Sequence, residues 1–160
     1  MALKLKKPLR STKVSRKITN AVQSKVAKKG EKKLTKRTIV ERAAQLENFP
    51  ELFLGLKAYE WQKRVLSDLN FKEARVAMKA ANGSGKTSLV AASAVLWHMI
   101  RFPQSLTITT AGVWRQVEDQ LWPNLRKYIA NLGDGWRVTS NELEFSNGSR
   151  AIGFSTNDAG

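Results

Sequence analysis

The sequence has no cysteine and a single histidine, His98. Without thiols there is no disulfide scaffold and no thiolate metal site, and the absence fits a reducing, intracellular compartment. A lone imidazole argues against a histidine metal centre or a histidine-based triad. No apolar run approaches the roughly 18 to 20 residues that span a bilayer, so no membrane partner is expected. Lysines also interrupt the first ten residues, where a signal peptide needs its apolar core. Acid is nearly missing from the first quarter of the chain. Residues 1–40 carry 14 of the 28 Lys and Arg against one acid, Glu31, so +13 of the net +15 lies there and the other 120 residues are close to balanced.

Residues 1–37 hold no aromatic residue and few large apolar ones. Such a segment cannot bury enough surface to offset the entropy of ordering itself, which predicts a basic, mostly disordered arm. Three readings of the arm stand. It is a solvated, self-repelling tail, or it contacts a polyanion by releasing counterions, or it is an organellar transit peptide, a reading weakened by its excess of lysine over arginine.

The rest, 38–160, reads as one ordered unit, of single-domain length in a chain that is 42% hydrophobic. Thr38 and Glu41 stand at capping-box spacing before Ile39, Val40, Ala43, Ala44 and Leu46, which predicts a short helix that Pro50 ends. A second helix over 58–69 places Trp61, Val65, Leu66 and Leu69 on one face, and Asn70 closes it. RVAMKA, from Arg75 to Ala80, reads as a short buried strand. Residues 86–101 read as a helix apolar almost all round, with Leu89, Ala92, Leu96 and Met99 on one side and Val90, Trp97 and Ile100 on others, so it must be covered on more than one face. Pro103 stops it, and the β-branched SLTITT at 105–110 is strand-like.

Trp114, Val117, Leu121, Leu125, Tyr128, Ile129 and Leu132 then keep helical spacing, with Pro123 kinking or splitting the helix and Gly133 and Gly135 ending it. WRVTS, ELEF and RAIGF are short strands, the last two joined by SNGS, whose Asn147-Gly148 pair signals a hairpin. They read as an insertion or a flanking antiparallel ribbon. Alternating strands and helices followed by a hairpin indicate an α/β sheet protein.

Between the RVAMKA run and the helix at 86 lies A-A-N-G-S-G-K-T, Ala80 to Thr87, which fits the relaxed phosphate-loop pattern of Gly or Ala, four residues, then Gly-Lys-Ser/Thr. Gly83 and Gly85 free the backbone to aim successive N–H groups at one phosphate, and the helix start adds its positive dipole end. Lys86 would meet the β/γ-phosphates and Thr87 would offer its hydroxyl to Mg²⁺, while Asn82 and Ser84 are the loop's other polar side chains. The competing reading is an ordinary strand-to-helix turn.

Upstream, Tyr59-Glu60-Trp61-Gln62 puts rings beside a glutamine. Glutamine pairs bidentately with the adenine N6/N7 edge, and a ring lies against a base. On spacing alone the plainer reading makes Trp61 a core residue and Gln62 its solvated neighbour.

AYEWQKRVL, AANGSGKT, TITTAGVWRQVEDQLWPNL and ELEFSNGSRAIGFSTN follow one another in an order and at a spacing that resemble the ATPase half of phage terminase large subunits, the motors that package viral DNA. The resemblance covers about Lys57 to Gly160. It implies an incomplete P-loop NTPase sheet of the RecA/ASCE-like kind, with flanking helices and a C-terminal β-hairpin. It implies ATP and Mg²⁺ as cofactors, and Gln62 with Tyr59 and Trp61 as the adenine-recognition element. Asn82, Gly83, Ser84, Gly85, Lys86 and Thr87 become the phosphate and Mg²⁺ ligands. Arg115 and Gln116 become candidate DNA contacts, with Val117 and Leu121 in the core.

The implied partners are double-stranded DNA, a small terminase subunit and the portal ring, with homo-oligomers only in the full-length protein. The implied location is the cytoplasm of a bacterial host, from a phage or prophage gene. The sequence departs from the family's pattern in two respects. The loop has no arginine, only Lys79 before it, and no apolar strand ending in Asp-Glu is present, Asp158 being no substitute. By the resemblance that acidic motif, the sheet strands beside RVAMKA and the nuclease domain lie beyond Gly160. The chain is therefore expected to hold no catalytic residue of its own and not to hydrolyse ATP alone. The alternatives are the front of a helicase-like P-loop ATPase, and a basic nucleic-acid-binding protein that uses no nucleotide.

Overall fold

A computed structural model describes residues 45–157. The basic arm at 1–37, the capping box at Thr38 and Glu41, and Asp158 lie outside them. Among the described residues the α-helices are α1 (Glu60–Asp68), α2 (Ala92–Arg101), α3 (Trp114–Gln116) and α4 (Trp122–Leu132), and the strands are β1 (Leu106–Ala111), β2 (Trp136–Val138), β3 (Glu142–Phe145) and β4 (Arg150–Ser155). Wide π-type turns at Lys86–Ala91 and Val117–Leu121 run directly into α2 and α4. No helix among the described residues is long and apolar enough to cross a membrane.

The four strands form one mixed α/β sheet in the order β1-β4-β3-β2. The hairpin strands are therefore not a separate ribbon. β4 runs parallel to β1, Leu106 opposite Arg150 through Ala111 opposite Ser155, and antiparallel to β3. A parallel neighbour so distant in sequence leaves no local signal, since the pairing is set by packing over α2 rather than by a turn. Period-two alternation gives the sheet two unlike faces. Ala151, Gly153, Ser155, Leu143 and Phe145 are buried beneath the helices, whereas Leu106, Ile108 and Phe154 on the other face are about half exposed.

The helix over 86–101 is buried as its composition requires, with Leu89, Val90, Ala92, Val95, Leu96, Trp97 and Met99 in the core. Asn147 and Ser149 of the β3–β4 turn both donate to the Met99 carbonyl at 2.8 Å, one by its amide and one by its hydroxyl. The predicted hairpin forms, but only Gly148 takes positive φ there. Asn147 serves as a cap for α2 rather than as the first residue of a left-handed turn. His98 Nδ1 lies 3.0 Å from Thr107 Oγ1 and joins α2 to β1, while burial lowers the imidazole pKa and favours the neutral ring.

Other expectations are corrected. The Arg75–Ala80 run forms no ladder with any described strand, and Val76 and Met78 in it are exposed. Strand propensity is local, whereas a strand exists only where a partner edge is supplied. Pro50 does not end a helix. It opens a turn, Pro50–Leu54, at the first position, where its missing N–H costs nothing. In α1 the buried side chains are Gln62 and Leu66, and Trp61 is exposed. Of the two outcomes expected at Pro123, the split is the one seen: Pro123 sits in the first turn of α4, directly after the π-type turn that interrupts the long helix.

Trp122 is fully buried, and its indole packs closely on β4 at Gly153, where there is no Cβ in the way. A Cβ there would stand 2.5 Å from Trp122 Nε1 and 2.9 Å from Cε2, with no flexible side-chain end to give way. Gly153→Ala is expected to cost about 1–3 kcal/mol through overpacking. Gly112→Ala, where an added Cβ meets nothing within 4 Å, serves as the control in thermal unfolding followed by circular dichroism.

Candidate phosphate-binding site

The chain reaches the loop from the unpaired run at 75–80 and turns through Gly83 (φ +74°) and Gly85 (φ +84°). Both sit in the left-handed region that side-chain-bearing residues enter only at a cost. Gly85 caps the following helix. Its carbonyl accepts from Leu89 N–H at 2.9 Å and from Val90 N–H at 3.1 Å, which widens the first turn to the π form.

The N–H groups of Gly85, Lys86, Thr87 and Ser88 find no acceptor among the described residues, and no side chain caps the helix. A helix always leaves its first amides without intrahelical partners. At most ends a side chain or water takes them, and a run of such amides at the positive end of a dipole is an anion site. Ser84 Oγ, buried within the loop, also lacks a partner among the described residues.

Lys86 folds back over the start of the loop. Its Nζ lies 3.2 Å from the Ala81 carbonyl, 3.4 Å from Asn82 Oδ1 and 3.5 Å from the Ala80 carbonyl. These acceptors are neutral, and no carboxylate among the described residues pairs with the ammonium. The Thr87 hydroxyl makes no hydrogen bond to a described residue. No three His, Cys, Asp or Glu side chains stand together as a metal site among the described residues. A divalent cation here would rest on Thr87 and on the oxygens of a bound phosphate.

Two elements support the loop helix from outside. Tyr128 of α4 donates to the Ser88 carbonyl at 2.9 Å, and burial raises its phenol pKa above the ordinary value, which keeps it a donor. The turn Val117–Leu121 packs on the turn Lys86–Ala91. It carries Val117 and Leu121 into the core, while Arg115 and Gln116 just before it remain exposed. Arg115 is engaged by Asp119 at 3.6 Å.

The Tyr59–Gln62 segment is arranged in the reverse of the plainer sequence reading. Tyr59 is 70% and Trp61 37% exposed, whereas Gln62 is 1% exposed. Gln62 Oε1 accepts from the Tyr59 N–H at 2.9 Å, and its Nε2 donates to the Ser84 carbonyl at 2.8 Å. The amide thus joins the start of α1 to the glycine-rich loop. Sequence contained one signal for this: Gln62 stands three residues after the N-cap Tyr59, where a Gln side chain reaches back to the cap N–H. The supports from Tyr128 and from Ser84 had none. One donor and one acceptor of the Gln62 amide remain, and at this depth a base reaches them only after neighbouring side chains move.

Comparison of the chain with protein-family models, with curated proteins and with solved structures returned no match.

Proposed function

We propose that residues 57–160 form the ATP-binding front half of a motor of the terminase large-subunit kind, which in the full-length protein drives double-stranded DNA into a capsid. One observation carries the nucleotide part: the open amides of Gly85, Lys86, Thr87 and Ser88 belong to the same loop as an ammonium that no carboxylate among the described residues neutralises. An anion is the ligand that complements both features, and a Gly-Lys-Thr helix start is the form that nucleotide phosphate sites take. The packaging part rests on the resemblance of the quoted segments.

In this reading Lys86 meets the β/γ-phosphates, Thr87 holds Mg²⁺, and Asn82 and Ser84 line the loop. Bound Mg²⁺ would neutralise phosphate charge. The exposed rings of Tyr59 and Trp61 are the surfaces available to the base. Arg115 and Gln116 face DNA, and the small subunit and portal ring are the protein partners.

The concentration of +13 in residues 1–40 favours a second contribution, nucleic-acid binding through the arm by counterion release. That contribution stands even if the loop takes no nucleotide.

Lys86→Ala removes the loop's only full charge and is expected to abolish binding in a fluorescent-nucleotide titration, whereas Ser88→Ala leaves it intact. Equal binding by wild type and Lys86→Ala would overturn the nucleotide reading. Separately, the log–log salt dependence of DNA binding should flatten when residues 1–37 are removed, by about 0.9 for each phosphate that the arm neutralises. An unchanged slope would assign DNA binding to the folded part.

A further inference from the structure

Among the described residues, Gln62 is the fully buried polar side chain that touches the phosphate loop from another element. It meets the loop at two successive residues. Its Nε2 donates to the Ser84 carbonyl at 2.8 Å, and it lies so close to the Gly85 Cα that a Cβ added there would come within 2.7 Å of the same nitrogen. Its Oε1 is in turn fixed by the Tyr59 N–H at 2.9 Å, at the first turn of α1, so the amide plane is held at both ends. The contact spans 22 residues of sequence.

A trans peptide points its C=O and the following N–H in opposite directions, and no cis peptide occurs among the described residues. Pinning the Ser84 carbonyl on Gln62 therefore turns the Gly85 N–H away from Gln62. That N–H is the first of the four amides without an acceptor among the described residues. Gly85 has no Cβ to hold its peptide plane by packing, and its φ of +84° lies where glycine moves freely. An outside tether is what fixes the direction of this amide.

We propose that Gln62 is a positioning residue of the phosphate loop: its buried amide, locked between the Tyr59 N–H and the Ser84 carbonyl, aims the Gly85 N–H at the bound phosphate. The inference rests on the reading of the loop as a phosphate site. It differs from a role in reading adenine, because it predicts that Gln62 matters for a ligand with no base.

The test is isothermal titration of the full 160-residue chain with tripolyphosphate and, separately, with ATP, each with Mg²⁺. Gln62→Met removes both amide bonds. It is expected to weaken both ligands alike, by about five- to tenfold, the effect of losing one net hydrogen bond. Gln62→Glu keeps an acceptor for the Tyr59 N–H but sets a carboxylate against the Ser84 carbonyl. Its tripolyphosphate affinity relative to wild type at the same pH should recover as pH falls and the introduced carboxyl becomes a donor. A merely structural defect would not follow that pH profile. Gln62→Glu also carries the test if Gln62→Met does not fold, as judged by circular dichroism.

Tripolyphosphate binding unchanged in the variants, with ATP weakened or not, overturns the positioning role and leaves the phosphate site standing. Failure of the wild-type chain to bind either ligand overturns the phosphate site, and the positioning role falls with it.

Discussion

The helix over 86–101 is buried along most of its length, and its two ends treat their unpaired backbone groups differently. At the C-terminal end the protein supplies the partners. Asn147 and Ser149 converge on the Met99 carbonyl, which fixes the hairpin against the helix and so fixes where β4 runs beside β1. At the N-terminal end the surrounding protein places Gln62, Tyr128 and the Val117–Leu121 turn around the loop. None of them takes the amides of Gly85 to Ser88. Those donors are left without a protein acceptor among the described residues, unlike the end groups of a capped helix.

The sheet shows a comparable asymmetry. One face packs on α2 and α4 through Ala151, Leu143 and Phe145. The other carries a charged band at the hairpin end, where Arg137 pairs with Glu144 at 3.6 Å and Arg150 with Glu142, and an apolar band of Leu106, Ile108 and Phe154 on β1 and β4. Parallel strands are ordinarily covered on both faces. Among the described residues β1 is paired on one side only, and the run at 75–80, with Val76 and Met78, has no partner. The glycine-rich loop at 80–87 thus hangs between a well-anchored helix and an approach segment that pairs with no described strand. Its geometry depends on contacts from the helix side.

Sequence made the local features of this arrangement legible. The glycines of the loop take the left-handed conformations their spacing suggested, the helix after Lys86 is covered on several faces, and the Asn147-Gly148 turn forms. What it could not convey were long-range facts. Hydropathy placed Trp61 inside and Gln62 outside, whereas a hydrogen-bonded amide is buried as readily as an indole once both of its ends are satisfied. Strand propensity in RVAMKA carried no information about whether an edge is present to pair with. The parallel match of β4 to β1 and the support of Ser88 by Tyr128, 40 residues away, depend on how elements stack. Even Asn147, correctly placed in a turn, serves mainly to cap a helix 48 residues earlier in the chain.

We infer that the amides of Gly85, Lys86, Thr87 and Ser88 are held open for phosphate. An amide-resolved NMR titration of the 160-residue chain with MgATP tests it directly. These four cross-peaks are expected to move downfield together, as N–H groups do on donating to a charged acceptor, and to saturate with a single binding constant. Nucleotide binding that leaves the four cross-peaks in place while others move would contradict it, and so would the absence of any shift at millimolar nucleotide.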